Sequence, residues 1–194
     1  MADQRIQYTE EMVGASHPSK SDTLNRLTLV EHNTDGTHKA VSKVAGDIVQ
    51  IVHTSTGAVA TGTTAIPYDD TKPQNTEGDE YLTLAITPTN ASNKLIIIAN
   101  MVCSHSATNV RLTMALFQDA TADALAATGQ HSQGEEPITI PMVYQMTAGT
   151  ASETTFKIRI GGDTGSTVTL NGSAGDRKYG GAYCSSITIM EVKV

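Results

Sequence analysis

The sequence predicts an all-β fold, an antiparallel jelly-roll sandwich of about nine strands preceded by a short, partly helical N-terminal segment. Three observations carry this expectation. Between Gly46 and Val194, short apolar runs are punctuated by Gly, Asn, Asp, Pro and Thr, with no long helical periodicity. Tyr81–Pro88, Phe156–Ile160 and Ser186–Val192 alternate apolar and polar residues, the period of strands that bury one face. Lys94–Ala99 contains a continuous apolar run, Leu95-Ile96-Ile97-Ile98. Strands of this length and spacing point to two packed sheets.

Residues 1–45 form the first predicted unit. Ser21 or Asp22 can cap a helix in which Leu24, Leu27 and Val30 recur at helical spacing, and Asn33-Thr34-Asp35-Gly36 stops it. A helix of about ten residues is marginal alone in water, so it needs an external apolar partner. Leu24, Leu27 and Val30 are therefore the candidate attachment residues of this segment.

Residues 46–194 form the second unit, the sandwich. Its first strand is Asp47–His53, followed by a Thr/Gly/Ala stretch, Thr54–Ala65, that suits an edge strand or a passage. Ile66–Glu80 is a long polar loop stiffened by Pro67 and Pro73, of a length that carries function or covers a sheet edge. After Tyr81–Pro88, strands are expected at Lys94–Cys103, Val110–Phe117, Ile138–Gln145, Thr154–Ile160, Thr167–Asn171, Gly180–Cys184 and Ser186–Val194. Asn171-Gly172 is a favoured tight-turn dipeptide. No repeat of solenoid or propeller period is visible.

Composition narrows the function classes. The chain has 194 residues with no Trp, only two Phe, 28 Thr and 14 Ser, so its core must come from Leu, Ile, Val, Met and Ala. A formal charge of −7 with scattered basic residues argues against nucleic acid as a partner. No apolar run is long enough for membrane insertion, and the N-terminus leads into no hydrophobic stretch of a signal peptide. Cys103 and Cys184 both sit in strand-like context and read as two buried thiols more readily than as a disulfide.

No catalytic constellation or cofactor motif emerges. Asp69, Asp70, Glu77, Asp79 and Glu80 form an acidic loop without the spacing of a calcium loop. Glu135-Glu136 are adjacent carboxylates that would point apart in extended chain, a poor arrangement for glycoside hydrolysis. The six histidines accompany no nucleophile elbow. Gly161-Gly162-Asp163-Thr164-Gly165 lies between strands, where no helix N-terminus would hold an anion, and reads as a turn. Asn90-Ala91-Ser92 and Asn171-Gly172-Ser173 match the glycosylation acceptor pattern, which has no meaning without secretion. The expected metal and cofactor content is none.

Two stretches carry a family resemblance. Ser16–Leu27 through Val30–His38 resembles N-terminal segments of bacteriophage and prophage tail-fibre or virion-fibre proteins. Thr63–Asp70, Gln74–Tyr81 and Leu84–Pro88 look like C-terminal domains of the same kind of protein. The close, Gly180–Val192, is similar to the last strands of tumour-necrosis-factor and complement-type jelly rolls. That second resemblance implies a homotrimer with the final strand in the inner sheet and a late Tyr, here Tyr183, near the three-fold contact. The scarcity of Phe and Trp departs from that family.

The function expected is a non-enzymatic virion structural protein, assembled in a host cytoplasm: a trimeric fibre or spike that binds other virion proteins through its N-terminal segment and a host-surface glycan or protein through its loops. The alternative is a capsid-decorating or tail-adaptor protein that binds only neighbouring virion subunits. Host contact is expected in the loop around Ala127 to Glu136, the Gly161–Ser166 turn and the Ser173–Tyr179 loop. These offer His131, Gln133, Asp163, Asp176, Arg177 and Tyr179 as candidate contacts.

Overall fold

Twelve strands and one short 3-10 turn make up the described part of the computed structural model, which covers residues 44–194. The helix expected over Asp22–Glu31, with Leu24, Leu27 and Val30, lies outside the described residues. The strands are β1 (Ile48–Thr56), β2 (Ala60–Gly62), β3 (Asp79–Ile86), β4 (Lys94–His105), β5 (Thr108–Gln118), β6 (Ala126–Gln133), β7 (Ile138–Thr147), β8 (Thr154–Gly162), β9 (Val168–Leu170), β10 (Gly172–Ser173), β11 (Asp176–Arg177) and β12 (Ser185–Val192).

Two sheets, each four columns wide, face one another. In the first, β12 lies between β1 and β4, and β7 pairs along the other side of β4. Where β12 begins, β9 continues its column beside Cys103–His105 of β4, and β2 continues the column of β1. The second sheet runs β3-β8-β5-β6. All of these pairings are antiparallel, and apart from the β5–β6 hairpin successive long strands cross between the two sheets, which is the jelly-roll arrangement the sequence predicts.

Period two places the core. On β4, Leu95, Ile97, Ala99 and Met101 turn inward and are at most 1% exposed. Leu112, Met114 and Leu116 of β5, Phe156, Ile158 and Ile160 of β8, and Ile187 and Ile189 of β12 meet them between the sheets. This core is aliphatic, as the composition requires, with Phe156 as its bulky aromatic member.

The long polar loop is a cover for a face. Ile66 swings onto the outer side of the second sheet, where it packs with Ala115, Phe117 and Ala124 in a separate buried cluster. Arg159 on β8 pins the loop by donating to the Glu77 and Gly78 carbonyls at 2.8 and 2.7 Å. Ala124 and Asn75 N–H groups bond across to the Pro73 and Ala122 carbonyls at 2.9 and 2.8 Å.

Four boundaries differ from the sequence expectation. Ala126–Gln133 is strand β6, so the loop expected around Ala127 to Glu136 begins only after Gln133. Its signal is weak because β6 is an edge strand, mostly polar and interrupted by Gly129. The Gly161–Ser166 turn loses its first two residues to β8, where Gly161 and Gly162 are buried. A Cβ on Gly161 would sit 2.7 Å from the Thr64 carbonyl oxygen and the Ile66 nitrogen, so glycine there serves the close approach of the covering loop. Gly180–Cys184 is no strand: a 3-10 turn spans Tyr179–Gly181, because Tyr179, Gly180 and Gly181 all have left-handed φ, at 49°, 63° and 93°. At Asn171-Gly172 the chain makes a left-handed joint, Asn171 φ 51°, between β9 and β10; the hairpin turn itself falls at Ala174-Gly175.

Candidate functional site

Two surface features stand apart from ordinary solvated strand faces: the outer face of the first sheet, and a tyrosine-lined groove.

The register of the first sheet sets side chains in rows on its outer face. One row runs His53, Thr188, Ile98, Val143; the next runs Ile51, Met190, Ile96, Gln145. Val143 is 71% exposed, Ile51 57% and Ile98 38%. Val192 lies in the following row and Pro141 in the preceding one. The centre of this face is thus aliphatic and bare, whereas the outer face of the opposite sheet is covered by the chain's own Ile66 loop.

The groove is formed by the ends of several connections. Glu135, Glu136 and Pro137 come from the β6–β7 link, Ser173 from the β10–β11 hairpin, and Lys178, Tyr179 and Tyr183 from the segment leading into β12; together they line an open depression of about 520 Å³. Ser173 Oγ donates to the Glu135 carbonyl at 2.7 Å, tying hairpin to link. The rings of Tyr179 and Tyr183 meet edge to face, centroids 4.8 Å apart and planes at 83°. The Tyr183 phenol is held above its ordinary pKa, first by loss of solvent and then by Tyr179. The turn carrying both tyrosines is clamped from behind. Gly57, in the link between β1 and β2, lies so close that a Cβ there would overlap the Gly181 carbonyl. Asn171, fully buried, donates to the Thr56 and Ala58 carbonyls at 2.9 and 3.0 Å and accepts from Ser185 Oγ at 2.7 Å.

The expected contact residues are only partly brought together. Tyr179 lines the groove, beside Tyr183, which was expected at a three-fold contact and not among the host contacts, and the Arg177 side chain lies behind Gly181. Asp176 is the exposed pair partner of Ser173 in the hairpin. His131 and Gln133 are exposed on one face of β6, joined by a 3.0 Å hydrogen bond, and Asp163 follows β8 with its N–H donating to the Arg111 carbonyl; none of these three lines the groove. Glu135, Glu136 and Lys178, which lie in two of the expected contact loops without being named among the candidates, do. The adjacent carboxylates were the only sequence signal for them.

Other chemistry candidates are used structurally. Four of the five acids of the polar loop have their own partners: Asp69 with Thr71, Glu77 with the Gln74 N–H, Asp79 with Thr64, and Glu80 with Lys157 and Arg159. Among the described residues no three His, Cys, Asp or Glu side chains gather where they could hold a metal ion. Both cysteines are free: Cys103 is buried, its thiol pushed up to about 12 by burial, while Cys184 is exposed, against the expectation of two buried thiols. Cys184 surfaces because its segment is the turn described above.

Residues 70–194, well over half of the chain, match the family model described as the Pgp3 C-terminal domain, Chlam_vir. The chain belongs to the Pgp3 C-terminal domain family. That description names no tail-fibre protein, so the phage resemblance passes to the proposal below. No curated protein sequence matches the chain. Among solved structures, the chain is similar to an Eiger TNF from S. frugiperda (10% identity, TM-score 0.40, 73% of this chain and 92% of that one). It is also similar to the CBM22-1 xylan-binding domain from Paenibacillus barcinonensis Xyn10C (15%, TM-score 0.37, 79% and 99%) and to infectious bursal virus derived T=1 particles (13%, TM-score 0.40, 80% and 40%). At these identities and scores the likenesses add nothing to the strand order already described.

Proposed function

We propose that the chain is a non-enzymatic structural protein of a virion, a homotrimeric fibre or spike that works by holding partners through its surfaces. The observation that carries the reading is the bare aliphatic face around Ile51, Ile96, Ile98, Val143 and Met190. Strand spacing and rise give the two rows that hold these residues roughly 260 Å², near the lower end of the largest apolar patches on ordinary monomers. The opposite sheet solves the same problem with its own loop; among the described residues nothing covers this face, and a partner subunit is the cover proposed. A second copy suits it, because the rim of His53, Thr188, Gln145 and Thr147 is polar and its charged member, Lys94, is engaged by the Thr147 hydroxyl at 2.7 Å. A stable interface takes about 800 Å² per partner, so the patch supplies the centre and the adjoining edges β1 and β7 the remainder. Three copies rather than two follows from the resemblance of the closing strand to tumour-necrosis-factor-type jelly rolls.

Light scattering coupled to size exclusion on the full chain at micromolar concentration tests this. A species three times the 20.5 kDa chain mass is expected. A monomer would overturn the homotrimer and leave a neighbouring virion subunit as the cover, the decoration reading.

A further inference from the structure

We infer that the groove between the β6–β7 link and the Tyr179–Tyr183 turn is a binding site for a neutral glycan. The inference names the ligand of the loop end of the fibre proposed above, and rests on that reading for its biological setting only. Tyr179 is 75% exposed yet held at φ 49°. A bulky residue in the left-handed region is strained and persists where the surroundings hold it. Gly57 backs the turn at the Gly181 carbonyl, and Tyr179 is left as an exposed aromatic side chain that hydrophobic burial would never select.

The polar groups around that face define the ligand. Glu135 and Glu136 offer acceptors, and Lys178 and the tyrosine phenols offer donors. An aromatic plane with mixed donors and acceptors matches a sugar ring, whose C–H face stacks while its hydroxyls both donate and accept. A cationic ligand would use the carboxylates but meet Lys178. An anionic sugar would meet two carboxylates against one ammonium. The volume of about 520 Å³ falls in the range of small-ligand sites, about 300–1,000 Å³.

Full-length protein should be titrated by calorimetry with neutral galactose-, glucose- and N-acetylglucosamine-terminated oligosaccharides, with their sialylated counterparts, and with an oligolysine peptide. Saturable binding of at least one neutral probe is expected, weakened roughly tenfold or more by Tyr179→Ala, and by Glu135→Gln with Glu136→Gln to a lesser degree. The sialylated counterpart of the bound probe should bind more weakly than the neutral one and gain on the double Gln variant. Binding of oligolysine alone, of no probe, or of neutral probes equally well in Tyr179→Ala would overturn the inference. Light scattering of the same samples reads the oligomer independently, so a monomer that binds sugar sinks the trimer alone, and a trimer that binds none sinks the groove alone.

Discussion

Glu191 is the residue whose chemistry departs furthest from its place in the pattern. The alternation Ser185-Ser186-Ile187-Thr188-Ile189-Met190-Glu191-Val192 puts it in phase with Ile187 and Ile189, and it is fully buried with them. Burial alone would raise its pKa. Hydrogen bonds from Asn93 Nδ2 (2.6 Å), Gln50 Nε2 (2.7 Å), and the Thr89 hydroxyl and N–H (2.7 and 2.9 Å) outweigh that and hold it at about 2 instead of 4.5. A folded-state pKa below the unfolded one contributes stability above the unfolded value and loses it as pH falls through the folded one. The chain should therefore lose on the order of 3 kcal/mol between about pH 5 and pH 2 from this group, read by urea denaturation across that range. Glu191→Gln should remove a similar amount at pH 7, since an amide presents donors to donors, and should flatten this part of the acid limb. An unchanged acid limb in the variant would mean that Glu191 does not anchor the Thr89–Asn93 turn. Gly57 makes a second residue-scale case: Gly57→Ala should displace the Tyr179–Tyr183 turn without melting the sandwich. A changed tyrosine near-ultraviolet dichroism beside unchanged far-ultraviolet dichroism would report it.

At the scale of elements, the two sheets treat their outer faces differently, and β4 is where the difference becomes legible. A run such as Leu95-Ile96-Ile97-Ile98 belongs to a strand covered on both sides, yet its odd members lie in the core while Ile98 stays 38% exposed in the isolated chain. The expected outcome for Ile98→Lys combined with Val143→Lys is a folded monomer with unchanged strand content, measured by light scattering and circular dichroism. Both positions point away from the core, so their cost falls on association; a trimer that survives both charges would place the subunit contact elsewhere. On the opposite sheet the polar loop plays the covering part. Ile66→Asp should destabilise by about 2–4 kcal/mol in thermal or chemical unfolding, because a charge would enter the Phe117 cluster.

At the scale of the whole molecule, the family match starts at residue 70, but the sandwich starts earlier. β1 forms the column beside β12 through eight registered pairs, Gly46 N–H bonds to the Lys193 carbonyl at 2.8 Å, and Gln50 reaches Glu191. A fragment of residues 46–194 should fold, whereas residues 70–194 alone should expose the edge of β12 and aggregate, as unpaired apolar strands do. Expression of the two fragments side by side, with thermal melts of the soluble fraction, checks this; a well-folded, monodisperse 70–194 fragment would show that β1 is dispensable.

The jelly roll was legible in the sequence because burial on one face writes a period of two, and Leu82–Ile86, Phe156–Ile160 and Ser186–Ile189 keep that period. Edge strand β6 was not legible: it needs few apolar residues, and polar residues at His131 and Gln133 read equally well as loop. The groove was half legible. Tyr179 and Tyr183 stood out as aromatic residues in a glycine-rich stretch, but Glu135, Glu136 and Lys178 join them only through the fold, from separate connections. The same holds for the apolar face, whose members come from β1, β4, β7 and β12. Sequence by itself determined which side chains alternate and therefore which class of fold can bury them. Only the tertiary structure decided which strands became neighbours, because pairing between strands distant along the chain depends on register and closure that no local periodicity encodes.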